Sequence, residues 1–264
     1  MSRTPSPHQS LALYLRTLKL PSFAAHHEEV ARRAEKEGWS FGQYLRHLAE
    51  LEVAERRTRR IERALKESQL PKEKLLSTLE LGRLPVKVKR ALPALCEGGF
   101  IERAENLLLF GLPGTGKTHL ACAIGHELIR RGWRVLFVPA GHLVQRLLVA
   151  KRELRLERQL RDLDAFDALI LDDIGYIQQD REEMEVLFTC LAERYERKSV
   201  VITSNLVFSQ WDRIFKDPMT TAAAIDRLVH HATLLELACP SYRTDAARHR
   251  KEQDAAAATE AALT

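Results

Sequence analysis

Gly111-Leu112-Pro113-Gly114-Thr115-Gly116-Lys117-Thr118 has the spacing G-x-x-x-x-G-K-[ST] of a phosphate-binding P-loop. Each residue type has a chemical reason to be there. Glycines let backbone N–H groups close around phosphate oxygens, and a helix N-terminus behind the loop adds the positive end of its dipole. On this reading Lys117 reaches the β- and γ-phosphates of a nucleotide, and the Thr118 hydroxyl ligates Mg²⁺. The flanks agree. Residues 106–110 read as a buried strand, and residues 119–131 carry Leu120, Ile124 and Leu128 at helical spacing, closed by Gly132.

A second group of chemical residues ends another apolar run. Leu169-Ile170-Leu171 leads into Asp172-Asp173, at the strand edge where open α/β sheets bind ligands. Asp172 is the natural metal partner of Thr118, and Asp173 would orient an attacking water. By itself an Asp pair before Gly175 reads better as a turn, and it is the P-loop that favours the metal reading. Val200-Val201-Ile202 likewise ends in Thr203-Ser204-Asn205, where an amide could hold the lytic water or the γ-phosphate, or simply make a turn. Arg227 precedes the last strand and Arg243 follows it. Each fits a structural ion pair or a cation that neutralises a transferring phosphoryl group.

The elements that must position these residues alternate. Apolar runs at 135–138, 169–171, 200–202 and 234–237 are short, β-rich and separated by helix-length segments, which suits a parallel sheet buried on both faces. Residues 8–70 read as helices only. Ser22 is expected to cap a helix reaching about residue 37, before Gly38. Ser40 to Gln43 has a capping-box pattern opening a longer helix with Phe41, Tyr44, Leu45, Leu48 and Leu51 on its apolar side. That helix carries Arg56, Arg59, Arg60 and Arg63 at i, i+3, i+4, i+7, four guanidiniums on one face. The spacing leaves two readings open: a solvated face with Glu52–Arg56 and Glu55–Arg59 pairs, or a phosphate-contacting surface. Pro71, Pro85 and Pro93 punctuate a connecting region. The expected organisation is a helical domain over 1–75, a three-layer α/β domain over 76–245 and a disordered tail over 246–264.

The composition sets broad limits. The chain has 264 residues, 45% hydrophobic and 29% charged, as in ordinary globular proteins. With 41 Lys+Arg against 36 Asp+Glu it carries +5, which permits a nucleic-acid partner without demanding one. Cys96, Cys122, Cys190 and Cys239 are scattered without metal-binding spacing and read as reduced thiols. Arg16 and Lys19 interrupt the apolar residues 11–20, so no signal-peptide core is expected there, and no run approaches a membrane span. A cytoplasmic location is expected.

In combination these motifs resemble the IstB transposition helper ATPases, which are similar to the DnaC helicase loaders and fall in the initiator clade of AAA+ proteins. The likeness lies in the P-loop with His119-Leu120-Ala121, in Leu171-Asp172-Asp173-Ile174-Gly175-Tyr176, in Glu193-Arg194-Tyr195-Glu196-Arg197 and in Thr203-Ser204-Asn205. It extends through residues 224–231, Ala-Ile-Asp-Arg-Leu-Val-His-His, and Ser241-Tyr242-Arg243.

The resemblance implies a P-loop NTPase of the AAA+ ASCE type preceded by a small all-helical domain. It implies that Gly111, Pro113, Gly114, Thr115, Gly116, Lys117, Thr118 and His119 hold ATP, with Mg²⁺ on Thr118 and Asp172. Asn205 would be a sensor-1 residue, Arg227 an arginine finger acting in trans and Arg243 a sensor-2-like residue. The implied partners are double-stranded DNA, a DDE transposase of the same element and further copies of the chain, assembled with ATP and DNA. The clade carries an extra helix after its second strand. Residues 144–163 supply it here, with Leu156, Leu160 and Leu163 on one face and Lys151, Arg155, Arg158 and Arg161 turned away from it, the first three of these being candidate DNA contacts. Two positions depart from the pattern: Asp173 stands where Glu is common, and Cys239-Pro240 replaces a Gly-containing lead into Ser-Tyr-Arg. Rival readings are a replicative helicase loader, a small-molecule P-loop kinase, and a DNA-binding scaffold that uses ATP only to assemble.

Overall fold

The computed structural model describes residues 7–176, 181–206, 210, 218–242 and 244. They fall into two units, Met1–Arg63 and Ala64–Thr264. The division lies before residue 75 because the intervening residues pack with the second unit. The Ser68 carbonyl accepts the N–H of Phe137 at 2.8 Å, and a Cβ on Gly125 would meet the Leu70 methyls at 3.3 Å.

The first unit is helical, with α1 (Pro7–Thr17), α2 (Pro21–Glu37) and the start of α3 (Phe41–Glu67). Helix α2 ends where the sequence predicts. Gly38 takes φ 68°, and the N–H groups of Gly38 and Trp39 reach the Glu35 and Ala34 carbonyls, the double bond of a Schellman cap. The capping box of α3 also forms: Ser40 N–H donates to Gln43 Oε1 at 2.7 Å and Gln43 N–H to Ser40 Oγ at 3.2 Å.

Ser22, in contrast, caps nothing. Pro21 starts α2, its fixed φ being ready for the first helical position. Buried Ser22 instead donates its N–H to Glu52 Oε2 at 2.8 Å and its hydroxyl to Glu55 Oε2 at 2.9 Å. The inward face of α3 follows Leu48 and Glu52, and so leaves Phe41 95% and Leu45 58% exposed, against their expected place on the apolar side. Arg56 Nε donates to Glu52 at 2.6 Å and Arg59 to Glu55 at 2.6 Å, the i,i+4 pairs read from the sequence.

In the second unit α4 (Val86–Glu97) and α5 (Gly99–Glu102) come first, and Pro93 lies inside α4 rather than in a loop. The alternation then runs β1 (Asn106–Phe110), α6 (Lys117–Arg130), β2 (Val135–Pro139), α7 (Ala140–Arg152), α8 (Leu156–Asp164), β3 (Ala168–Asp172), α9 (Arg181–Arg194), β4 (Ser199–Ser204), α10 (Pro218–Val229) and β5 (Ala232–Glu236). The strands form one parallel sheet in the order β2-β3-β4-β1-β5. Because side chains alternate across a strand, Leu108, Phe110, Leu136, Val138, Leu169, Leu171, Val200 and Ile202 share one face, packed with α7, α8, α9 and α10. The opposite parity serves α6, where Ile170 lies against Gly125. The result is three layers.

Residues 144–163 are not one helix. Leu154 at φ 57° breaks the run: its N–H reaches the Lys151 carbonyl and that of Arg155 the Ala150 carbonyl, a Schellman cap with leucine in the glycine place. Leu163 on α8 is buried, with Leu156 and Leu160 packed beside it. Arg194, at the end of α9, is fully enclosed and donates to the carbonyls of Leu163, Phe166 and Ser199. Burial pushes its guanidinium down to about 10. Among the described residues no helix is long and apolar enough to cross a membrane.

Candidate functional site

Parallel strands send their C-terminal ends to one edge, and β4 stands between β1 and β3 there. The P-loop after β1 and the aspartates after β3 are therefore one strand apart, flanking the end of β4 at Thr203 and Ser204. A cleft of roughly 420 Å³ opens at this edge. Pro113, Gly114, Gly116, Lys117, Thr118 and His119 line it from the loop side, and Asp172, Asp173 and Asn205 from the other.

The loop is shaped by its glycines. Gly111 carries β1 into the loop where a Cβ would stand 2.7 Å from the Leu237 carbonyl, and Gly116, at φ 90°, opens α6 with the Tyr242 ring beside it. Thr115 is buried and donates to the Leu112 carbonyl at 2.9 Å, so its role is to hold the turn. Lys117 is 5% exposed, and its Nζ donates to the Gly111 and Leu112 carbonyls at 2.7 and 3.0 Å. That curls the ammonium over the loop, where an arriving phosphate would meet it.

Asp172 is buried at the end of β3, and its Oδ1 accepts the Thr203 hydroxyl at 2.7 Å. Asp173 takes φ 56°, and its N–H donates to the same hydroxyl at 2.9 Å. Asn205 presents a buried Oδ1 that finds no hydrogen-bond partner among the described residues, and a side chain on Gly175 would collide with it at 2.2 Å. A buried amide oxygen without a donor is costly, and here it sits at the wall of the cleft. The oxygens of Thr118 and Asp172 are the hard donors that Mg²⁺ takes, so the residues present fit that ion.

Not every expected residue converges there. Arg227, in the last turn of α10, is not among the cleft residues. Its guanidinium lies 4.9 Å from the Phe188 ring, with a buried Nη1 lacking a partner among the described residues. Near it the Tyr195 hydroxyl meets His230 Nδ1 at 2.8 Å. Arg243, like the tail over 246–264, lies outside the described residues. Lys151 pairs with Glu185 at 2.8 Å and Arg155 with Glu153, while Arg155 and Arg158 border a shallow groove on α7 and α8. In the first unit Arg56 also reaches the Lys19 carbonyl and Arg59 the Ser22 hydroxyl. Arg60 and Arg63 are exposed on the same helix.

Some cleft residues carry no motif. Lys74, Thr78, Leu79 and Glu80 close one side, tied to α6 where His119 Nε2 meets Thr78 Oγ1 at 3.1 Å and the Leu75 carbonyl at 3.0 Å. Tyr242, from the Ser241-Tyr242-Arg243 motif but given no role there, closes another. Its N–H donates to the Gly114 carbonyl at 3.0 Å, its ring carries Arg83 at 4.0 Å, and its hydroxyl reaches the Glu80 carbonyl. The prolines before β1 mark a connecting region in the sequence but single out no residue within it. Cys239 stands nearby with Sγ 3.4 Å from the Thr115 carbonyl, whereas Cys96, Cys122 and Cys190 are buried elsewhere in the unit.

Comparison with known proteins places this site in context. The family described as IstB-like ATP binding protein matches residues 13–252. An insertion sequence ATP-binding protein of Sinorhizobium fredii is 46% identical over 257 residues, covering 96% of this chain and 86% of the relative. The insertion sequence IS21 ATP-binding protein of Pseudomonas aeruginosa is 39% identical over 233 residues, covering 88% of each. Among solved structures, AMPPCP-bound DnaA from Aquifex aeolicus superposes with a TM-score of 0.53 at 20% identity, covering 64% of this chain and 51% of that one. DnaI gives a TM-score of 0.53 at 23% identity, covering 64% and 94%. At these identities the structural likeness concerns the fold, which is that of a P-loop AAA+ protein.

Proposed function

The chain belongs to the IstB-like ATP-binding family, and from that premise we propose that it is an Mg²⁺-dependent ATPase that assembles on double-stranded DNA and helps a DDE transposase of the same element engage its target. The observation that carries the nucleotide reading is convergence: Lys117, Thr118, Asp172, Asp173 and Asn205, far apart in sequence, border one cleft. The relatives' names supply the insertion-sequence context.

Each residue then has a task. The loop N–H groups and Lys117 bind the β- and γ-phosphates of ATP. Thr118 and Asp172 would hold Mg²⁺, which supplies charge neutralisation on those phosphates. Asp173 orients the attacking water, and Asn205 offers its amide to that water or to the γ-phosphate. Arg227, away from its own cleft, serves a neighbouring protomer's γ-phosphate, and Arg243 acts as the sensor-2 cation. ATP binding orders the subunit interface and hydrolysis dissolves it. DNA meets the basic residues Lys151, Arg155 and Arg158, and Arg56, Arg59, Arg60 and Arg63 of the first unit, through phosphate contacts with little base selectivity.

A helicase loader has the same kind of cleft, so binding to a replicative helicase rather than a transposase would decide for that reading. The test of the assembly is complementation. Arg227→Ala should bind ATP yet hydrolyse it poorly, and Lys117→Ala should not bind it. Mixing the two should restore turnover, because some interfaces then pair an intact loop with an intact finger. No recovery in complexes verified as mixed would sink the trans role.

A further inference from the structure

We infer that Thr203 is a positioning residue that ties Asp172 and Asp173 into one unit; the inference rests on the ATPase reading above and adds a residue to it. Thr203 is fully buried and is not among the residues bordering the cleft, so it touches no nucleotide and must act through its neighbours.

The geometry gives the direction of both hydrogen bonds. The Asp173 N–H can only donate, so at 2.9 Å it uses a lone pair of the Thr203 oxygen. The hydroxyl hydrogen is then committed to Asp172 Oδ1 at 2.7 Å. One side chain thus accepts from the backbone of the water-orienting residue and donates to the carboxylate of the metal residue. The sheet register explains why it stands there. Leu171 lies opposite Ile202 in the β3–β4 ladder, so Asp172 and Thr203 come next, where the ladder ends. Beyond that point Asp173 leaves the sheet with φ 56°, a backbone that Asp tolerates better than most residue types, and its N–H goes to the Thr203 side chain. With Oδ1 gripped, the second oxygen of Asp172 is left to serve the cleft. Valine would keep the shape of threonine and lose both hydrogen bonds. Serine would keep both.

The experiment compares Thr203→Val and Thr203→Ser with the wild-type chain. In Thr203→Val, ATP affinity should stay within about twofold while kcat falls about 10- to 100-fold, the usual effect of losing a partner that orients a metal-holding side chain. The Mg²⁺ concentration for half-maximal turnover should rise. Thr203→Ser should recover kcat to within about threefold. In the nucleotide-free chain the Asp173 amide should exchange its hydrogen about tenfold faster in Thr203→Val and at the wild-type rate in Thr203→Ser. This exchange readout stands even if the wild type proves not to hydrolyse ATP, an outcome that would sink the ATPase reading separately. Wild-type kcat and exchange in Thr203→Val would overturn the inference, and so would Thr203→Ser being as impaired as Thr203→Val. Should the valine variant fail to fold, Thr203→Cys, a near-isostere with a weak donor, is held to the same criterion: lowered kcat at intact affinity supports the inference, and wild-type kcat overturns it.

Discussion

The two units of this chain are held together by different physics. In the α/β unit the centre is apolar: Leu107, Leu108, Leu109, Leu169, Leu171 and Ile202 are fully enclosed on the two faces of one sheet. In the helical unit the buried apolar residues, among those described, are Leu15, Val30, Ala34 and Leu48, and Ser22 and Glu52 are buried as well. Leu13, Tyr14, Leu18, Phe41, Leu45 and Val53 are exposed. Ser22 and His26 of α2 are joined by hydrogen bonds to Glu52 and Glu55 of α3, carboxylates that also accept from Arg56 and Arg59. Burial of apolar area is indifferent to pH and only weakly altered by modest salt, whereas a network of carboxylates and guanidiniums is neither. The units should therefore fail under different conditions.

The largest effect expected on this comparison is Leu169→Ala. Deleting a fully buried leucine side chain from the sheet costs about 3 kcal/mol, read as a lower denaturant midpoint for the α/β unit. Next is Glu52→Ala, which strands the buried Ser22 N–H and takes one partner from the half-exposed Arg56, and costs about 1–3 kcal/mol. Hydrogen exchange in the full chain should quicken along α2 and α3 while ATP affinity is unchanged. Equal loosening of the sheet amides would break the comparison.

Acid should separate the units next. Burial alone pushes the Glu52 carboxyl up, but the hydrogen bonds from Arg56 and Ser22 outweigh it and hold the group below its ordinary 4.5. Hydrogen bonds from Ser22 and Arg59 lower Glu55 in the same way. Carboxyls lowered by folding stabilise the fold fully above their unfolded value, and the gain is lost as pH falls below 4.5 through the folded values. In that range exchange should rise first in α2 and α3. The smallest effect is Arg59→Gln. Its half-exposed pair is screened by solvent and contributes little, and the difference from wild type should vanish in high salt.

What the sequence discloses follows the range of the interactions. The P-loop, the Asp pair, the capping box at Ser40 and the stop at Gly38 are local patterns and can be read directly. Strand positions follow because each run is apolar and short. Long-range partners leave no such mark. Nothing in the spacing of Ser22 says that its hydroxyl belongs to Glu55 rather than to a helix end. Leu154 adopts a left-handed cap that composition assigns to glycine, so residues 144–163 read as continuous. Lys74, Thr78 and Glu80 border the cleft because a connecting segment folds back along α6, and a boundary near residue 75 would divide them.

The placement of the cysteines makes the chain its own reporter. Burial pushes the thiols of Cys96, Cys122 and Cys190 up to about 11, 12 and 11, so hardly any thiolate exists at neutral pH. Burial raises the Cys239 thiol as well, but that residue is partly exposed, and its sulfur touches the backbone of the phosphate loop. A maleimide dye applied to the native protein should therefore modify Cys239 well ahead of the other three. The slowing of that labelling as ATP is added would track the state of the loop with no engineered residue at all.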